Sequence, residues 1–307
     1  MKNKIKGLFI LTILSLSITS CYKDDYFNPS QASVETVVND INGLIALANG
    51  LQSKYTIGRA SPVYSYIKAS GLSTGELLVY NQGNTSEVTL LTGGNSVAGD
   101  NSIVTRLWEQ SLITIGNADV IVNNLNKVGD TRIKSTLTCY ANLYKGLSLL
   151  QLGTFWEQAP IKTGVRATFV PRAQVLAEAI KMFEEGAAAA PSAQVTTAYP
   201  GGIDFANTFN ALLARTYNMV GNNDKAIEAA NKVNLSSKSE FIYDNVTRNP
   251  IFDVSYSNVN VCGPSDANLG VKGNFIPAEN GGRILYYLKS KTFSRTVNPG
   301  KGFFASN

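Results

Sequence analysis

Between Arg106 and Trp156 the chain twice repeats its apolar residues at a helical interval. In the first run, to Val128, residues Trp108, Leu112, Ile115, Val122 and Leu125 share one face, with small Ser111 and Ala118 between them. Gly129-Asp130 breaks the pattern. The second run puts Leu137, Tyr140, Ala141, Tyr144, Leu147 and Leu150 on one side. Two helices joined by so short a polar turn form an antiparallel hairpin, and each apolar stripe is too wide to stand alone in water. The spacing predicts a mainly α fold in which other segments pack on this hairpin or project from it.

Other stretches agree. Ser33–Tyr55 repeats Val34, Val37, Val38, Ile41, Leu44, Ile45, Ala48 and Leu51 at three and four, with Ser33 placed to cap a helix and Glu35 in its first turn. Gln158–Val170, which contains Pro160, reads as a loop, and Pro171 to Ala190 as another helix with Val175, Leu176, Ala179, Ile180 and Phe183 on its face. Asn207–Leu235 splits at Gly221-Asn222-Asn223 into two short helical runs. Ala214–Gly221 followed by Lys225-Ala226-Ile227-Glu228 reads as a tetratricopeptide unit, which must stack on other helix pairs. Residues 57–100 lose the period and are expected to be mostly irregular, as are 236–307, apart from a strand at Ile251–Tyr256. The expected organisation is a leader over 1–20, a tether over 21–32 and a single helical domain over 33–307.

The front of the chain has a different character. Lys2, Lys4 and Lys6 precede an apolar run from Leu8 to Ile18, too short to span a bilayer and patterned as a secretory leader. These lysines supply three of the five net positive charges of the 307-residue chain. The remainder is nearly neutral and gives no electrostatic case for nucleic acid. Ile18-Thr19-Ser20-Cys21 resembles a bacterial lipobox, in which the Cys21 thiol would carry a diacylglycerol. Each acyl carbon buried in a membrane contributes about 0.8 kcal/mol, so such an anchor holds firmly. Lys23-Asp24-Asp25 resembles the acidic signal that sends lipoproteins of Bacteroidota to the cell surface. Of the remaining cysteines, Cys139 falls in the second hairpin helix and Cys262 in a Gly/Pro/Ser/Asn stretch. Such unlike contexts do not argue for a disulfide.

The chain contains no histidine. That removes Ser-His-Asp and Cys-His catalysis and His-ligated zinc together. Without a Cys-x-x-Cys there is no thiolate zinc or iron–sulfur motif, and no Gly-rich phosphate loop follows a strand. No cofactor, metal or catalytic residue is expected. Binding fits better: the chain has 14 tyrosines against 2 tryptophans, with abundant amides and hydroxyls. Planar aromatics hold the C–H faces of sugars, and amides or hydroxyls hold their rims; peptides are held similarly. Tyr140, Tyr144 and Tyr217 lie on apolar helix faces and read as core. Tyr64, Tyr80 and Tyr199 lie in segments without a period, where ligand contact and a cap over a core edge both fit. Tyr80-Asn81-Gln82 sets an aromatic plane beside two amides, the combination that stacks and hydrogen-bonds a sugar ring.

Beyond the lipobox, Trp108-Glu109 with Asn117-Ala118-Asp119 matches a Trp followed by an Ile-x-x-Ala-Asn-like run. Ala141, Lys145-Gly146, Leu149-Leu150, Leu152 and Trp156-Glu157-Gln158-Ala159-Pro160 match an Ala-rich helix ending in Phe-Gly before Pro. Pro171-Arg172, Ile180, Pro191, the Ala214–Ala226 unit and Ile251-Phe252 follow in the same order. Through these motifs the chain resembles the SusD/RagB family of outer-membrane nutrient-binding lipoproteins of Bacteroidota. It departs at Lys145, where the family has Arg, and at Trp156-Glu157, where it has Phe-Gly. Family members continue well beyond Asn307, so the chain is expected to be a fragment or a short form. The resemblance implies a tetratricopeptide-like helical scaffold that catalyses no reaction. It implies a lipid-anchored protein of the outer membrane, facing the exterior. It also implies capture of an oligosaccharide, or in some members a peptide, and delivery to a SusC-like TonB-dependent transporter. A repeat adaptor that binds only protein is the competing expectation.

Overall fold

The computed structural model describes residues 37–255, 261–264, 294–297 and 300–303. Its contacts separate Met1–Val37 from Val38–Asn307, and the helical array belongs to the second unit. The leader, Cys21 and the tether lie outside the described residues.

The predicted hairpin forms as α4 (Ser102–Asn124) and α5 (Thr131–Phe155). Asp130 caps α5 by accepting from the Arg132 and Ile133 amides at 2.8 and 3.1 Å. Those two N–H groups also hold its carboxyl below the usual carboxylate range. α5 is buried along most of its length and carries the centre of the core: Leu137, Tyr140, Tyr144, Leu149 and Leu152 are all fully buried. α1 (Ile41–Thr56) and α2 (Pro62–Ser73) pack on α4, and α1 also reaches α5. On the other side of α5 follow α6 (Arg172–Ala189), α7 (Phe205–Met219) and α8 (Asn223–Asn231), each against its predecessor. α7 and α8 are the expected tetratricopeptide-like pair, with Gly221 at φ 77° in the turn between them.

Glycines bring the array together. A Cβ at Gly146 of α5 would meet the Phe183 ring of α6 at 2.3 Å, and one at Gly186 of α6 would meet the Phe209 ring of α7 at 2.2 Å. The aromatic rings thus fill the space that side chains at those positions would take.

Several sequence expectations are corrected. Residues 57–100 are ordered elements: α2, strand β1 (Leu77–Val79), helix α3 (Thr85–Thr92) and a 3-10 turn at Gly94–Ser96. The period was hidden because the buried face of α2 mixes Tyr64, Ser65, Lys68, Ala69, Gly71 and Leu72. Lys68 is fully buried and forms an ion pair with Glu87 of α3 at 3.2 Å. The long helix expected from Ser33 is interrupted at Asn39-Asp40, and Asp40 caps α1, accepting from Asn42 N at 3.1 Å; residues 33–36 lie outside the described set. The strand expected at Ile251–Tyr256 is instead helix α9 (Pro250–Ser255), with Tyr256 outside the described residues. There Asn249 accepts from Ile251 N at 2.9 Å, and the Asn-Pro start outweighs the partial alternation.

Small antiparallel pairings complete the chain. The loop expected after the hairpin contains β2 (Gln158–Pro160) paired with β3 (Phe169–Pro171). β1 pairs with β4 (Cys262–Pro264), and β5 (Ser294–Val297) with β6 (Gly300–Phe303). No disulfide joins Cys139 to Cys262. Cys139 lies in the α5–α6 crossing with its Sγ 3.6 Å from Gly186 O, and burial pushes its thiol up to about 12. Cys262 is buried in β4.

Candidate functional site

The tyrosines singled out from sequence are core. Tyr64 and Tyr80 are each 2% exposed and Tyr199 is 7% exposed. Arg59 and Lys68 lie over the Tyr64 ring at 6.0 and 5.4 Å. The Tyr80 amide donates to Val261 O at 2.8 Å, so β4 and the residue before it cover this tyrosine. Tyr199 stacks on Tyr140 with centroids 5.5 Å apart and planes 9° apart. In each case protein occupies the ring faces, which leaves no plane for a sugar. Asn81 and Gln82 are exposed, but Asn81 spends its Oδ1 on Gly83 N at 2.8 Å and its carbonyl on Asn84. The five residues do not form one site.

A different set of aromatics does come together. Tyr66 of α2 meets Phe155 edge-to-face at 5.7 Å, and Phe155 meets Trp156 at 6.1 Å. Trp156 meets Trp108 of α4 at 5.1 Å, and Trp108 stacks on Phe169 of β3 at 5.8 Å with planes 20° apart. The first four are half-buried and bridge two core clusters, whereas Phe169 is 54% exposed. At the opposite end, Arg215 of α7 donates to the Tyr66 hydroxyl at 2.8 Å.

Ring geometry decides what this row can do. Edge-to-face contacts use up ring faces inside the row, so four of the rings hold one another and the scaffold. The stacked pair differs: Trp108 covers the inner face of Phe169 and fixes its tilt, leaving the outer face to solvent. That makes one oriented apolar plane, carried on the β2–β3 hairpin.

The hairpin itself is anchored at both ends. Arg172 N donates to Glu157 O at 2.7 Å, and Arg172 Nε donates to Trp156 O at 3.2 Å. Its loop rests on α4 at Gly116, where an added Cβ would lie 2.9 Å from Thr163 Oγ1. Lys162, Arg166 and Thr168 are exposed on the same hairpin. Sequence reasoning missed Phe169 because it stands in a segment read as loop. The usable signal was two tryptophans and two phenylalanines clustered around the hairpin's ends.

A second concavity of about 310 Å³ lies among α6, α7 and α8, lined by Ala187, Leu213, Tyr217, Lys225 and Glu228 among others. Tyr217 donates to Glu184 there, and Lys225 sits 5.1 Å over the Tyr217 ring. Burial, with Glu184 adding to it, raises the Tyr217 phenol. Among the described residues no group of three or more Cys, Asp or Glu side chains could hold a metal ion. No described helix is long and apolar enough to cross a membrane.

Three solved structures share the helical array. A SusD-like carbohydrate-binding protein of Bacteroides fragilis is 16% identical and superposes with a TM-score of 0.53 over 64% of this chain and 41% of its own. A SusD/RagB-family protein of Bacteroides thetaiotaomicron is 14% identical, with a TM-score of 0.53 over 77% of this chain and 51% of its own. The chain has the SusD-like fold. A SusD-superfamily protein of Bacteroides vulgatus aligns over 69% of this chain and 47% of its own, at 14% identity and a TM-score of 0.50. The chain therefore spans about half the length of these SusD-like structures or less. No protein-family model and no curated protein matches it. In this chain α4 to α8 are the stacked helices, and the β2–β3 hairpin connects α5 to α6.

Proposed function

We propose that this chain is a nutrient-binding lipoprotein of the outer-membrane surface, anchored through Cys21. In this reading it captures oligosaccharide and passes it to a SusC-like TonB-dependent transporter, without catalysis and without nucleic acid as a partner. The observation that carries the reading is the SusD-like helical array, shared with a structure described as a carbohydrate-binding protein. The exposed, Trp-backed face of Phe169 supports it as the place where a sugar ring stacks, in place of the buried tyrosines.

A glycan array probed with the chain lacking residues 1–21 tests it. At least one oligosaccharide class should be retained by the protein and lost by Phe169→Ala at an unchanged melting temperature. An array without any hit, alongside capture of defined peptides, would replace glycan by peptide. That second reading has its own support in the concavity beside Tyr217, whose apolar floor and mixed charges suit a peptide side chain.

A further inference from the structure

We infer that the Phe169 plane takes an acidic sugar, one bearing a carboxylate or sulfate, rather than a neutral one; this rests on the glycan reading above. The argument begins with charge. From Gln158 to Ala177 the chain holds three cations, Lys162, Arg166 and Arg172, and no carboxylate. Elsewhere four exposed lysines meet a carboxylate, Lys181 with Glu178, Lys225 with Glu184, Lys232 with Glu228 and Lys238 with Glu240, at 2.8 to 3.8 Å, whereas exposed Lys54, Lys127 and Lys134 are in no ion pair among the described residues. None of the three hairpin cations is in an ion pair among the described residues, although all three are exposed. Of the acids closest in sequence to the two tryptophans, both exposed, Glu109 lies on α4 and Glu157 stands at the base of the hairpin with its carbonyl bonded to Arg172 N, whereas Lys162 and Arg166 lie in the loop.

Geometry adds to the charge. Arg172 is held by its bond to Trp156 O, so one guanidinium is fixed beside the aromatic row while its terminal nitrogens remain able to donate. Lys162 and Arg166 flank the fully exposed Val165 at the loop tip, on the same hairpin that presents Phe169. A pyranose stacked on Phe169 turns its C–H face to the ring and leaves its substituents free to meet cations carried on the same hairpin. A neutral sugar would use the plane and leave the charges idle; a uronate or sulfate would engage both.

Calorimetry with a galacturonic acid tetrasaccharide and its fully methyl-esterified form separates the possibilities, because esterification removes charge and keeps the rings. The acid should bind about fivefold tighter or more, one exposed contact at 4 Å being worth that much, and the gap should close as salt rises. Lys162→Gln with Arg166→Gln should erase the preference by bringing the affinity for the acid down to that for the ester, and Phe169→Ala should weaken both. Equal binding of acid and ester by the parent chain would overturn the acidic-sugar inference and leave the glycan reading standing. Failure of both probes, together with a hit for neutral glycans elsewhere on an array, would also overturn it. Phe169-dependent binding to phosphatidylglycerol vesicles without sugar would reassign the surface to membrane and overturn it as well.

Discussion

Asn101 shows how much of this fold hangs on single polar side chains. It is 5% exposed, and its Oδ1 accepts from Ile103 N and Val104 N at 3.0 and 3.3 Å, capping α4. Its Nδ2 donates to Ser86 O and Thr89 Oγ1 of α3 at 2.9 and 3.0 Å. One amide therefore starts a helix and ties a second one to it. Asn101→Ala should cost about 2–3 kcal/mol, a cap plus the stranded partners, read by chemical denaturation. Asn101→Ser, which keeps a capping oxygen and loses the reach to α3, should fall between the two. Equal stability of Asn101→Ala and the parent would show that water replaces all four bonds. At this scale the sequence was least legible. Lys68 and Glu87 form a buried pair across α2 and α3, yet each alone reads as a solvated charge. Tyr64 and Tyr80 fit ligand contact and a core cap equally in the sequence, because only tertiary packing reveals what covers them.

Among the elements, legibility tracked how apolar the buried face is. α4, α5, α6 and the α7–α8 pair bury Leu, Ile, Val, Ala and Phe at helical intervals, and their existence follows directly from that spacing. α2 buries Ser, Lys, Gly and Tyr, so its period is invisible on any apolar count. The closeness of α5 to α6 was also beyond the sequence, since a glycine in a helix signals weakness until the neighbouring ring is seen. Gly146→Ala should destabilise by about 1–3 kcal/mol, because its methyl would collide with the Phe183 ring in a packed crossing. Gly50→Ala, exposed in α1 with nothing within 4 Å of the added carbon, should stabilise by about 0.5–1 kcal/mol. Thermal melts of the two variants should move in opposite directions; a shared direction would mean that helix propensity, not the crossing, governs Gly146.

For the whole molecule, the resemblance read from ordered motifs and the superposition on SusD-like structures agree on the helical array. The proposed ligand surface was not readable, because it depends on a ring in the short strand β3 meeting a tryptophan 61 positions earlier in the chain, Phe169 on Trp108. Anchoring belongs to this scale too. Cys21→Ala should move the protein out of the detergent phase after phase separation, whereas retention there would place the anchor elsewhere. The chain's two tryptophans, Trp108 and Trp156, both stand in the aromatic row, so tryptophan emission, excited selectively over the 14 tyrosines, arises from this row. Titrating a glycan bound in calorimetry should shift tryptophan emission saturably, with the calorimetric midpoint, and Phe169→Ala should abolish both signals at an unchanged melt. Saturable heat with unchanged emission, undiminished in Phe169→Ala, would place the sugar away from the hairpin and contradict the site.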